Sequence, residues 1–189
     1  MRRGIGVLLL AAWVGGCGDV SGAGVSAPTA PAAQRQAEGG FLERAAGAPE
    51  FGVEVVAIEA RAGVAASDTL RFANGEPYVA LHLDAATMRG ATLRGAPVTE
   101  VRITLARASH GRFVAELQPS GLRFNPAAPA RITFFHRHAA PRRSAALQLW
   151  RQERDDAPWE RVGGLGRADE RAFTAPIDGF TKYAVASGN

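Results

Sequence analysis

Residues 41–189 predict an all-β fold, an antiparallel sandwich with immunoglobulin-like layers. Three observations carry that expectation. Apolar and polar residues alternate in short runs, turn-forming residues interrupt the runs at short intervals, and no stretch keeps a helical period.

Val53, Val55, Val56 and Ile58 open the first alternating run, and Tyr78 to Leu83 form a second. Val101, Ile103 and Leu105 alternate with Arg102 and Thr104, as a half-buried strand requires. Ser109-His110-Gly111 then reads as the turn of a hairpin whose return strand is Phe113 to Leu117. Ile132 to Phe135 and Leu147 to Trp150 come next, with a polar turn at Glu153 to Pro158 and a short strand around Trp159. Gly163-Gly164 reads as a breaker, and the closing strands are Ala172 to Thr174 and Tyr183 to Ala186. Phe41 to Ala46 offers at most one helical turn.

Ahead of this domain the chain changes character. Arg2 and Arg3 precede an apolar run from Ile5 to Val14, which is followed by Gly15, Gly16 and Cys17. A charged start, a short apolar stretch and small residues are the three regions of a secretory signal peptide, expected at residues 1–16. The apolar run falls short of the roughly 20 residues of a spanning helix. Residues 17–40 then have almost no large apolar side chain and are rich in Gly, Ala, Ser, Pro and Gln, so they read as a flexible stalk.

Val14-Gly15-Gly16-Cys17 resembles the lipobox of bacterial lipoproteins, with Val where Leu is commoner. The resemblance implies that Cys17, the only cysteine of the chain, is acylated and becomes the first residue of a mature protein held on a lipid membrane. In that family an Asp directly after the cysteine favours the inner membrane. Gly18 occupies this position and Asp19 comes one later, which implies the outer membrane in a host with two. With no cysteine left to pair, the domain depends on its own core.

The formal charge of +4 falls to +2 once Arg2 and Arg3 leave with the signal (4 − 2 = 2). Lys182 is the lone lysine, and the arginines are scattered among acidic residues. A nucleic-acid footprint would need a clustered basic stripe, so no nucleic-acid partner is expected.

Leu117-Gln118-Pro119-Ser120-Gly121-Leu122-Arg123-Phe124-Asn125-Pro126 looks like a second family signature. It resembles a turn and strand of the β-sandwich domain shared by zonula-occludens proteins, netrin receptors and ankyrins. Leu147 to Trp150, Trp159 after Asp155 and Asp156, and Phe180-Thr181-Lys182-Tyr183-Ala184-Val185 match later pieces of that domain in order. The resemblance spans roughly residues 112–187 and implies a fold; residues 50–111 share only their β character. Leu122 and Phe124 are expected to face one side, Pro119 and Gly121 to make a tight turn, and Pro126 to sit at a strand end.

Chemistry-bearing groups are few. His136 and His138 lie two apart, as do His82 and Asp84, and four such groups brought together could hold zinc. The plainer reading places them at strand ends near solvent. Some relatives in the second family cut their own backbone between Phe and Ser through the hydroxyl, with a His beside the Phe. Here the step is Phe180-Thr181, and Gly179 stands where that His would be. Trp150, Trp159, Tyr78 and Tyr183 suggest a sugar-stacking platform, against a plainer role in packing. No Gly-x-Ser-x-Gly elbow, phosphate loop or dinucleotide fingerprint is present, and Glu153, Asp155 and Asp156 lack calcium-loop spacing, which leaves a solvated hairpin tip.

The expectation is therefore a non-enzymatic module without a cofactor. It is tethered to a lipid membrane through Cys17, with an envelope protein or polysaccharide as partner. The alternative is a self-processing or metal-dependent hydrolytic domain.

Overall fold

The computed structural model describes residues 40–141, 146–167 and 171–187. The signal peptide, the lipobox with Cys17 and the stalk expected before residue 40 lie outside the described residues. Strand is the dominant structure of the described chain, at 55%, and the strands form antiparallel sheets that pack against each other.

The larger sheet has six strands: β1 (Val55–Arg61), β6 (Glu100–Arg107), β7 (Val114–Gln118), β13 (Lys182–Ser187), β10 (Ala146–Gln152) and β11 (Glu160–Arg167), side by side in that order. The facing sheet runs β12 (Ala172–Ile177), β9 (Ala130–Phe135), β3 (Pro77–Leu83) and β2 (Ala66–Arg71). A small third sheet joins β5 (Ala96–Pro97), β4 (Thr92–Leu93) and β8 (Leu122–Arg123).

Alternation along the strands builds the core. Ile103 and Leu105 of β6 are fully buried, and Leu81 and Leu83 of β3 and Ile132 and Phe134 of β9 supply the opposite layer. Each such side chain contributes about 1.5–3 kcal/mol when removed from water. At one end Tyr78, Phe72, Phe51 and Phe113 form an aromatic cluster, and the Arg107 guanidinium lies 4.9 Å from the Phe51 centroid. Burial pushes the Tyr78 hydroxyl well above its ordinary value, and it donates to the Val114 carbonyl at 3.2 Å.

The expected helical turn at Phe41–Ala46 is replaced by an extended strap over its first residues. Leu42 N–H donates to the Val185 carbonyl at 2.8 Å, and Phe113 N–H donates to the Leu42 carbonyl at 2.9 Å. The strap thus wedges between β13 and β7, whose direct pairing covers only Lys182, Tyr183 and Ala184. Farther along, Ala45 N–H reaches the His138 carbonyl and Ala140 N–H reaches the Glu43 carbonyl, which ties the strap to the chain leaving the second sheet. Its side chains alternate across the large sheet: Leu42 enters the main core, while Phe41 lies in a separate cluster with Val114, Trp159, Ala184 and Ala186.

Other sequence expectations are corrected in detail. Val53 precedes the first strand and is 65% exposed. Alternation does not predict strand β2, because in Ala-Ser-Asp-Thr-Leu-Arg only Leu70 is a large apolar residue; it is an edge strand with one fully buried anchor. Gly163-Gly164 does not break the chain but lies within β11, where Gly163 takes φ +116° beside register shifts opposite Leu147 and Leu149. That is the role of a bulge in an edge strand. Leu122 and Phe124 are both buried, as expected of one face, and Gly121 supplies the φ of +82° that the turn after Pro119 needs.

Candidate functional site

The two histidine pairs do not meet. In the antiparallel register of β3 with β9, His82 lies opposite Arg131, five positions before His136. At roughly 3.3 Å per residue this puts the pairs about 16 Å apart along the sheet. His136 and His138 also fall past the end of β9 at Phe135, so they are not alternate residues of one strand. His82 Nε2 lies 2.9 Å from Asp84 Oδ1, and Arg131 reaches the same carboxylate at 3.3 Å. His138 instead bonds Glu76, which also pairs with Arg137 at 2.9 Å. The His138 bond holds the Glu76 carboxyl below its ordinary value, and the His82 bond does the same for Asp84. Among the described residues no three His, Cys, Asp or Glu side chains are grouped to hold a metal ion.

The aromatic platform is also corrected. Tyr78 and Tyr183 are 1% exposed, and the ring of Trp159 meets Phe41. Trp150 packs against the same outer cluster. These rings are engaged in packing, and they present no shared face to a sugar.

Phe180 and Thr181 are both buried and lie in the connection from β12 to β13. Phe180 packs edge-on against Phe124 at 5.0 Å, and its N–H donates to the Leu122 carbonyl. The Thr181 hydroxyl donates to the Gln152 carbonyl. Tyr183, whose hydroxyl burial and the nearby Asp178 push well above its ordinary value, donates to the Gly179 carbonyl at 2.7 Å. At Gly179 a Cβ would stand 2.7 Å from the Leu122 carbonyl oxygen and 2.8 Å from Arg123 Cδ. The position has no space for the histidine that self-cleaving relatives of the resembled family carry.

Beside Phe180 and Thr181 the turns of three sheet segments enclose a cleft of about 240 Å³. Arg94, Arg123, Arg151 and Arg154 line it, together with Glu153 and Ser120. Arg123 and Arg151 are locked by shared acids. Arg123 reaches Glu153 at 3.0 Å and Asp178 at 3.6 Å, and Arg151 reaches Glu160 at 3.2 Å and Asp178 at 3.6 Å. Burial pulls the Arg151 guanidinium down, but the Glu160 bond and the charges of Asp178 and Glu153 outweigh it and hold the group above its ordinary value.

Arg94 is different. It sits at the tip of the β4–β5 hairpin with φ +52°, next to Gly95 at +84°, and is the one non-glycine with positive φ among the described residues. Such two-residue turns favour Asn-Gly or Gly-Gly, and a left-handed conformation costs a larger residue about 1–2 kcal/mol. Its N–H donates to the Gly121 carbonyl at 3.0 Å, but its guanidinium makes no ion pair among the described residues. No sequence signal marks this cleft. Its arginines come from three separate stretches of the chain, around residues 94, 123 and 151–154, which the β4–β8 and β10–β13 pairings help to gather.

No protein-family model, curated protein or solved structure matches the chain.

Proposed function

We propose that this chain is an envelope lipoprotein: residues 1–16 are removed as a signal peptide, Cys17 is acylated, and the β-sandwich from residue 41 is a non-catalytic interaction module carried on a short stalk. The observation that carries this reading is the Val14-Gly15-Gly16-Cys17 motif behind its charged and apolar leader. The architecture of the strap supports it. A tether arriving at Phe41 would pull on a segment that is hydrogen-bonded to the large sheet and to the chain leaving the second sheet, and that is anchored by Leu42 in the core. Gly18 after the cysteine favours the outer membrane over the inner in a host with two.

The non-catalytic half of the reading is supported by the state of the groups that would do chemistry. The Thr181 hydroxyl donates a hydrogen bond to the Gln152 backbone carbonyl, and the histidine pairs are apart.

The test is incorporation of radiolabelled palmitate in cells making the wild type or Cys17→Ala, followed by membrane fractionation. Label and membrane association in the wild type, both lost in the variant, are the expected result. A wild type that takes no label and stays in the soluble fraction overturns the anchor.

A further inference from the structure

We infer that the arginine-lined cleft between Arg94, Ser120 and Phe180 is a binding site for a carboxylate-bearing peptide segment of a partner protein. This gives the proposed interaction module a ligand chemistry; it rests on the module being a binding domain and is independent of the lipid anchor.

Four guanidinium groups and one carboxylate line the space. Arg123 and Arg151 are held rigid by Glu153, Asp178 and Glu160, so they form a fixed wall. The Arg151 Nε is buried without a hydrogen-bond partner among the described residues. Arg94 is an exposed residue lining the cleft, with no ion pair among the described residues and at a backbone conformation in which glycine would be favoured. Strained conformations persist where the surrounding structure holds them and are concentrated at binding sites. Here the strained turn sets the Arg94 side chain over Gly121, whose Cβ position would be 3.3 Å from Arg94 Cγ.

The ligand class follows from charge and size. Arginine prefers planar oxyanions that accept two parallel bonds. Glu153 in the wall and Asp178 behind it oppose a doubly charged phosphate more than a singly charged carboxylate. At about 240 Å³ the cleft is below the roughly 300–1,000 Å³ of small-molecule sites, so it takes one acidic end or side chain of a larger partner. Phe180 supplies an apolar wall for the aliphatic stem of a glutamate. A polysaccharide would need exposed aromatic faces, and Trp150 and Trp159 are engaged elsewhere.

The test is calorimetric titration of the full chain in a non-ionic detergent with a short Glu-rich peptide, its Gln-substituted counterpart, and inorganic phosphate. Saturable one-to-one binding of the Glu peptide is expected, at least tenfold weaker for the Gln peptide and for phosphate. Arg94→Gly should weaken the Glu peptide at least tenfold while its thermal midpoint is unchanged or raised, because glycine suits the turn. Arg89→Gln, exposed and outside the cleft, should bind as the wild type does. Absence of binding, equal binding of phosphate, an unaffected Arg94→Gly, or an equal loss in Arg89→Gln each overturns the proposal. None of these outcomes bears on palmitate labelling, so failure of this site and failure of the anchor are separately visible.

Discussion

Phe41 stands edge-on against Trp159, with ring centroids 4.8 Å apart and an interplanar angle of 69°. The first residue of the strap is thereby clamped by the residue just after the acidic turn, on the outer face of the large sheet. Its neighbour Leu42 passes to the inner face. Two adjacent side chains therefore fasten the start of the domain from opposite sides.

Phe41→Ala and Leu42→Ala should each destabilise the domain by about 3 kcal/mol, the range of large-to-small changes at well-packed sites. Urea unfolding followed by tryptophan fluorescence measures this. Phe41→Ala should also shift the native emission to longer wavelength by admitting water to Trp159, and Leu42→Ala should not. Equal spectra would mean that the ring pair does not shield Trp159.

Gly179→Ala should cost about 1–3 kcal/mol, because the added methyl meets a backbone oxygen at 2.7 Å that cannot turn aside. Gly90→Ala makes a useful comparison. Nothing lies within 4 Å of a Cβ at Gly90, whose φ is +80°, so its cost is conformational alone. Thermal midpoints of the two variants separate crowding from backbone preference.

Thr181→Val removes the hydroxyl that donates to the Gln152 carbonyl, at about 1–2 kcal/mol of stability. Intact mass should be that of the uncut chain in both wild type and variant after prolonged incubation. Fragments split after Phe180 in the wild type, absent from Thr181→Val, would revive the self-processing alternative.

The Glu76 carboxyl is held below its ordinary value of 4.5, first by the His138 bond and then by Asn74, with burial opposing. A depressed folded value means that the stabilisation is complete above the unfolded value and is lost as pH falls through the folded one. Denaturation midpoints should therefore drop below about pH 4.5 more steeply in the wild type than in Glu76→Gln. Parallel curves would show that the His138 contact contributes nothing in the acid range.

The sequence by itself determined the β architecture wherever one face is buried and the other wet. In Val101 to Leu105 the period of two is visible because Ile103 and Leu105 enter the core while Arg102 is exposed. The same logic revealed Tyr78 to Leu83 and Ala172 to Thr174, and it hid β2, whose edge position needs only Leu70 inside. The proposed lipobox rests on local spacing in the same way, on the four consecutive residues Val14-Gly15-Gly16-Cys17.

Tertiary structure alone decided which distant residues became neighbours. The register of β3 on β9 set His82 beside Arg131 and away from His136. The closing of the strap turned Phe41 from a candidate helical residue into half of an aromatic pair, and β4 on β8 brought Arg94 to the Phe180 turn. Register is a collective result of burying every inward side chain at once: a one-residue slip would expose a whole face. That constraint is spread across the sheet, so no single stretch of sequence displays it.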